Sequence, residues 1–281
     1  GVYKSVDSGQ SWSNMGLEES EHIGRIVVDP RDSNTVFVAA MGPLWRSGGD
    51  RGLYKTVDGG ETWERILHIS DDTGVAEVWL DPRDPDTVYD TSYQRRRHVW
   101  TLINGGPESA FHKSTDGGVT WREIESGLPS VDRRRMGLCI SPENPDVIYG
   151  VLDAERDEGG IFRSTDRGES WDKRSDYVSC GDYWNELSCD PHDIDTVYSV
   201  DVLLHVTKDG GSTWEGKYQG VVQTEGILLS FRGFTVDPRS SEVVYAMGEM
   251  QFPGNNVWGL GVGGVIYKTT NGGETWDRIW H

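Results

Sequence analysis

One short motif constrains this chain more than any other feature, because it recurs six times. It reads Ser/Thr-x-Asp-x-Gly-x-Ser/Thr-Trp and occupies residues 5–12, 56–63, 114–121, 164–171, 207–214 and 269–276. The key position is Asp7, Asp58, Asp116, Asp166 and Asp209 in turn, and Asn271 in the last copy, at intervals of 51, 58, 50, 43 and 62 residues. Spacings of that size mark arrays of small supersecondary units. The motif also has a local mechanism. Its Asp can accept hydrogen bonds from turn amides, its Gly tolerates positive φ, and the residues on either side alternate with period two. It therefore predicts a β-hairpin turn, with the Trp packing inward after it. The high counts of 36 Gly and 12 Trp follow from this repetition, since six of the Trp belong to the motif.

A second pattern precedes each of the last five hairpins. Ile26-Val27-Val28-Asp29-Pro30 leads to Thr35-Val36-Phe37, and Val78-Trp79-Leu80-Asp81-Pro82 leads to Thr87-Val88-Tyr89. Leu138-Cys139-Ile140-Ser141-Pro142, Leu187-Ser188-Cys189-Asp190-Pro191 and Phe234-Thr235-Val236-Asp237-Pro238 lead to Val-Ile-Tyr, Thr-Val-Tyr and Val-Val-Tyr strands. Proline lacks the ladder donor, so each corner ends an inner strand. Each unit is then four antiparallel strands, apolar on both faces, which radial stacking buries. The expected fold is all-β. It is a β-propeller of four-stranded antiparallel blades at 21–68, 69–126, 127–175, 176–220 and 221–281, in one domain over 1–281. Residues 1–20 supply only the outer hairpin of a partial sixth blade. The missing inner pair reads as cut from a larger propeller, with residues 215–232 as the alternative source, and the open blade edge invites association with another chain.

These residues carry a family resemblance. The six hairpins look like Asp-box (BNR) repeats, found in sialidases, xyloglucan-active glycoside hydrolases and sortilin-type receptors. Together with the Val-Asp-Pro and Val-Tyr strands, the chain most resembles bacterial "glycosyl hydrolase, BNR repeat/sortilin-like" propellers. His22-Ile23-Gly24-Arg25-Ile26-Val27-Val28 and Tyr93-Gln94-Arg95-Arg96-Arg97 add to the likeness. The resemblance implies a propeller fold, with ligands bound at the end opposite the Asp boxes. It does not separate catalysts from receptors.

Strand order sorts the loops onto two ends. Asp-box turns and Asp-Pro corners share one end, so the six boxes read as structural. A calcium reading of Asp58-Gly59-Gly60 lacks the further carboxylates it needs. The opposite end collects Arg25, Trp45, Arg95, Arg96, Arg97, Trp100, Arg133, Tyr183 and Trp184. Exposed Trp faces suit sugar rings, and guanidinium forks suit carboxylate or sulfate. The plain alternative pairs the arginines with neighbouring acids such as Asp132, Asp153, Glu155 and Glu186. Asp153, Glu155, Glu186 and Glu249 are the candidate carboxylates for glycoside hydrolysis, which needs two of them flanking the bond. A sialidase reading fails because Phe162-Arg163-Ser164-Thr165 and Phe231-Arg232-Gly233-Phe234 both lack the proline of that family's Arg motif.

Charge and composition prune other classes. With 27 basic against 46 acidic residues the formal net charge is −19, which argues against a nucleic-acid partner. No apolar run nears the ~20 residues of a membrane span. The start at Gly1-Val2-Tyr3-Lys4 shows no leader and reads as a mature product or an excised piece. Cys139, Cys180 and Cys189 have no zinc spacing, and the fold is expected not to rest on disulfides. No metal or cofactor is expected, and no nucleophile elbow, HExxH or phosphate loop is present. Two functions stand open. One is an extracytoplasmic, carbohydrate-active propeller that binds, or binds and hydrolyses, an acidic polysaccharide or glycan. The other is a non-catalytic module of sortilin-like or assembly-factor type that binds a protein ligand.

Overall fold

The computed structural model describes residues 1–179, 185–200, 204–221, 228–251 and 262–280. Five sheets follow one another along the chain, each threaded in simple up-and-down order. The first comprises β3 (Ile23–Val28), β4 (Val36–Ala40), β5 (Gly52–Thr56) and β6 (Glu64–Leu67), and it is preceded by the isolated hairpin β1 (Tyr3–Lys4) and β2 (Ser13–Asn14). The second has β7 (Thr73–Asp81), β8 (Asp84–Arg97), β10 (Phe111–Ser114) and β11 (Arg122–Ile124), with β9 (Leu102–Asn104) added to the far end of β8. The third is β12 (Arg133–Ile140), β13 (Ile148–Ala154), β14 (Gly160–Ser164) and β15 (Asp172–Ser175). The fourth is β16 (Glu186–Cys189), β17 (Val197–Val200), β18 (Leu204–Thr207) and β19 (Glu215–Gly216), and the fifth β20 (Leu228–Asp237), β21 (Ser240–Gln251), β22 (Val262–Thr269) and β23 (Asp277–Trp280). Single 3-10 turns at Glu18–Ser20 and Glu155–Asp157 are the only helical segments among the described residues.

The repeated motif builds the same turn in every copy. In the second copy the Asp58 carboxylate accepts from the Thr62 amide at 3.0 Å, from the Thr62 hydroxyl and from Thr56 Oγ1, while Thr56 Oγ1 accepts from the Gly60 amide at 3.0 Å. Gly59 and Gly60 both have positive φ, at 72° and 98°, where a side chain would be strained. Asn271 keeps the geometry: its Oδ1 accepts from the Thr275 amide and its Nδ2 donates to Thr275 Oγ1. Each of the last five turns is then tied to the corner of its own sheet. The amides of Gly59, Gly117, Arg167, Gly210 and Gly272 donate to the carbonyls of Asn34, Asp86, Asp146, Asp195 and Glu242. Asp-box turns and inner corners therefore share one end of each sheet, leaving the other end to the loops between second and third strands.

The described chain divides into two compact units, Gly1–Leu138 with Leu152–Gly159, and Cys139–Val151 with Gly160–His281. The division runs through the sheet of β12–β15. In the first unit Phe37, Ala39, Leu53, Val75, Val78 and Val88 form one apolar cluster, with Ile66 and Trp121 packed on it. In the second, Tyr198, Leu204, Phe231, Val244, Val265, Tyr267 and Trp276 form another.

Two expectations need correction. The fold does contain a disulfide: buried Cys139 on β12 is bonded to Cys189 on β16, with Cα atoms 6.0 Å apart. Strand alternation explains it. Cys139 sits one residue before the end of its inner apolar run and Cys189 at the end of its own, so the two face opposite ways from their sheets and meet between them. The box tryptophans also do not all pack inward. Trp171 is 3% exposed but Trp12 is 63% exposed. Trp63 is half-buried against the preceding hairpin, where its indole N–H donates to the Met15 carbonyl, whereas the Trp12 indole N–H donates to the Gly9 carbonyl of its own turn at 3.2 Å.

Candidate functional site

The arginines and tryptophans of the first unit gather where β8 outruns its sheet. Its last three residues pair with β9, in the register Arg95 to Asn104, Arg96 to Ile103 and Arg97 to Leu102. Alternation places Arg95 and Arg97 on one face of this ribbon and Arg96 on the other. Residues 98–101 close it, with the His98 amide donating to the Thr101 carbonyl at 2.8 Å. Trp100 stands at the tip, 82% exposed, and stacks on the His98 ring with centroids 5.5 Å apart. An indole in water at that level has one face open to a ligand ring.

A second element lies against the ribbon. The loop between β4 and β5 is wound around Arg51, whose buried guanidinium donates to the carbonyls of Met41 at 2.8 Å, Arg46 at 2.9 Å, Gly48 at 3.1 Å and Pro43. One planar fork thus organises a segment without secondary structure of its own. The loop exposes Trp45 and is stitched to β8 by the Arg97 amide, which donates to the Leu44 carbonyl at 2.7 Å. It is stitched again by Arg96 Nη1, which donates to Ser47 Oγ at 2.5 Å and meets Asp72 Oδ1 at 3.2 Å, while Ser47 Oγ donates to Asp72 at 2.6 Å. Arg46 is paired with Glu19 at 2.5 Å and Glu21 at 3.6 Å.

The electrostatics match this crowding. Burial pushes the Arg51 guanidinium below its ordinary value; Asp72 opposes that, and Arg96, Arg46 and Arg95 add to it. The surface is therefore a mixed one, in which Arg46 and Arg96 already face carboxylates, rather than a bare cationic patch. Asp72 and Ser47 were not singled out by sequence reasoning. The available signal was the acidic doublet Asp71-Asp72 just before an inner strand and within reach of the Arg95, Arg96 and Arg97 run.

The other candidates fall elsewhere. The Arg25 guanidinium carbon lies over the Trp79 ring, 3.6 Å from its centroid. Arg133 is buried, with Nε donating to the Pro129 carbonyl at 3.0 Å and Nη1 to Glu123 at 3.2 Å, so its guanidinium serves the fold. Asp153 on β13 meets Arg134 at 3.4 Å, and Glu155 opens the 3-10 turn that follows. Glu186 belongs to the second unit, on β16 opposite Val200. Tyr183 and Trp184 lie outside the described residues. Among the described residues no group of His, Cys, Asp and Glu is placed to hold a metal ion.

Sheets of four up-and-down strands, each closed by the same hairpin, define an Asp-box (BNR) repeat β-propeller. Residues 1–137 match the family model described as Sortilin, neurotensin receptor 3. The chain is 25% identical to xyloglucanase Xgh74A of Acetivibrio thermocellus, over 100% of this chain and 36% of that protein. It is also 25% identical to an oligoxyloglucan-reducing end-specific xyloglucanase of Emericella nidulans, over 98% of this chain and 34% of that protein. Among solved structures, an ancestral GH74 enzyme superposes with a TM-score of 0.65 at 17% identity, covering 100% of this chain and 36% of that one. The GH74 xyloglucanase of Xanthomonas campestris superposes with a TM-score of 0.64 at 15% identity, covering 99% and 42%. The chain spans about a third of the length of the curated relatives it matches.

Proposed function

We propose that the surface formed by Trp45, Trp100 and the Arg95–Arg97 ribbon binds a polysaccharide chain. The carrying observation is Trp100, held at the tip of a hydrogen-bonded ribbon with its indole in solvent. Trp45 on the tethered loop offers a second stacking face, and the paired Arg96 and Asp72 offer donors and acceptors for hydroxyl groups. Because Arg46 and Arg96 are met by carboxylates, the surface suits a neutral chain such as xyloglucan better than an acidic one. The names of the xyloglucanase relatives support the same choice. The disulfide supports an extracytoplasmic setting, since such bonds persist in oxidising compartments.

The proposal is for binding. Hydrolysis would need two carboxylates ~5–9.5 Å apart across the bond. Asp153, Glu155 and Glu186 are its candidates, to be tested by reducing-end release from xyloglucan in Asp153→Asn, Glu155→Gln and Glu186→Gln variants. A protein ligand is the second reading, favoured by the sortilin-type match over residues 1–137. Affinity electrophoresis in xyloglucan and in polygalacturonate gels separates these readings. Retardation by xyloglucan, weakened about tenfold (~1.4 kcal/mol) in Trp100→Ala, is expected. Stronger retardation by polygalacturonate, or none by either, overturns the neutral-glycan reading.

A further inference from the structure

One carboxylate stands apart among the charges around the loop between β4 and β5. The arginines there act on one another: Arg96, Arg46 and Arg95 repel the Arg51 guanidinium, and the largest attraction on it comes from Asp72. Arg46 has its own acids in Glu19 and Glu21. Asp71, the other half of the acidic doublet, lies 3.8 Å from His68. Asp72 is the carboxylate that meets Arg96, and it does so in a defined seat. Ser47 Oγ donates to Asp72 Oδ1 at 2.6 Å, and Arg96 Nη1 donates to the same oxygen at 3.2 Å. A guanidinium N–H beside a hydroxyl is a donor set that also suits a free carboxylate. The backbone places Asp72 there without help from its charge. The Asp72 amide donates to Ser70 Oγ at 3.2 Å, Ser70 donates to Glu108 at 2.6 Å, and the Arg95 amide donates to the Asp72 carbonyl at 3.3 Å. The loop carrying Ser47 is held separately, by Arg51 and by the bond from the Arg97 amide to the Leu44 carbonyl.

We infer that Asp72 is a specificity-determining residue: its carboxylate fills, from within the chain, a carboxylate seat formed by Arg96 and Ser47, and so excludes uronic acids from the surface. The inference rests on the polysaccharide reading of this surface and adds which residue sets the class of chain accepted. The side chains are within reach of a ligand, since Asp72 is 39% exposed and Arg96 27%. A uronate approaching Arg96 meets a donor set already in use and a like charge beside it, and like charges brought together select against the wrong ligand. A neutral sugar escapes that repulsion, because its hydroxyls can both accept from a guanidinium and donate to a carboxylate. With Asn at position 72 the side-chain oxygen still accepts from Ser47 and Arg96, the repulsion is gone, and Arg96 loses its contacting counter-charge. The seat then stands ready for the carboxylate of a ligand.

The test is affinity electrophoresis of Asp72→Asn in polygalacturonate and in xyloglucan gels at low ionic strength. The ratio of polygalacturonate to xyloglucan affinity should rise about tenfold over the wild type, and the gain should fade as salt is added. Adding Arg96→Gln should abolish the gain. Glu143→Gln removes one exposed carboxylate at an inner corner and should gain nothing, which separates the seat from net charge. Asp72→Ser is a second neutral variant, used if near-UV circular dichroism shows Asp72→Asn to be unfolded. An unchanged ratio in a folded neutral variant, an equal gain in Glu143→Gln, or a gain that survives Arg96→Gln overturns the inference. The two readings fail separately. A wild type that ignores xyloglucan, with a gain for polygalacturonate in Asp72→Asn, overturns the neutral-glycan reading and supports Asp72 as the selector. Xyloglucan binding by the wild type with no gain in Asp72→Asn does the reverse.

Discussion

The β1–β2 hairpin and the β5–β6 hairpin carry the same motif and fold differently around it. Their turns agree almost atom for atom. Asp7 accepts from the Ser11 amide at 2.9 Å as Asp58 does from Thr62 at 3.0 Å, and the Gly9 and Gly60 amides both donate to the hydroxyl at the motif's first position. Their tryptophans do not agree. Trp63 is half-buried against the hairpin before it, whereas Trp12 stands in solvent. The turn is therefore a property of eight residues, while burial of its Trp belongs to a pair of neighbouring sheets.

The sharpest way to break this comparison is to delete the indole. Trp171→Ala should cost about 4 kcal/mol, the range for removing a buried aromatic, and Trp12→Ala within ~0.5 kcal/mol of zero. Urea unfolding midpoints of the two variants check this, and equal losses would remove the distinction. Next in size is the link between successive sheets. The Cys139–Cys189 bond closes a separation of 50 residues, and Cys189→Ser or reduction should lower stability by about 3 kcal/mol. Loss of two thiols from the Ellman count of the untreated protein, regained on reduction, is the accompanying check.

The smallest effect is electrostatic, and it should be the same in both hairpins. The Ser11 hydroxyl holds the Asp7 carboxyl down at about 2 against an ordinary 3.8, and the hydroxyls of Thr120 and Thr213 do the same for Asp116 and Asp209. A carboxyl whose pKa is lower in the folded state stabilises it above 3.8, and that contribution disappears as pH falls from 3.8 through about 2. Urea midpoints should decline across that window. Carboxyl NMR should show Asp7 titrating with Asp116 and Asp209 although its sheet is incomplete. An Asp7 value near 3.8 would mean that the turn depends on its neighbours after all. Asn271 carries no such charge, so Asp58→Asn should remove much of the acid sensitivity of its box while keeping the turn, and Asp58→Ala should lose both.

Local chemistry explains what could be read without coordinates. The Asp-box turns and the Asp-Pro corners are made by residues two to five positions apart, and their types announce them. The alternating strands and their up-and-down order follow from the same pattern. The nearness of the Arg95, Arg96 and Arg97 run to Trp100 was visible too, because the sequence itself sets them a few residues apart. The disulfide was legible only through parity. Cys139 and Cys189 stand at different steps of the same inner-strand pattern, and that one-residue offset lets them face each other.

The amino-acid sequence alone determined the unit of construction, because hydrogen bonds within a turn and the period of a strand need no partner from afar. Tertiary structure decided how each side chain is used. Arg133 and Arg96 look alike in the sequence, yet one is buried on Glu123 and the other ties Ser47 and Asp72 to the rim of a ribbon. Trp12 and Trp171 share a motif, yet only one is covered. Burial and pairing depend on which surfaces meet across tens of residues, and no local pattern encodes that meeting.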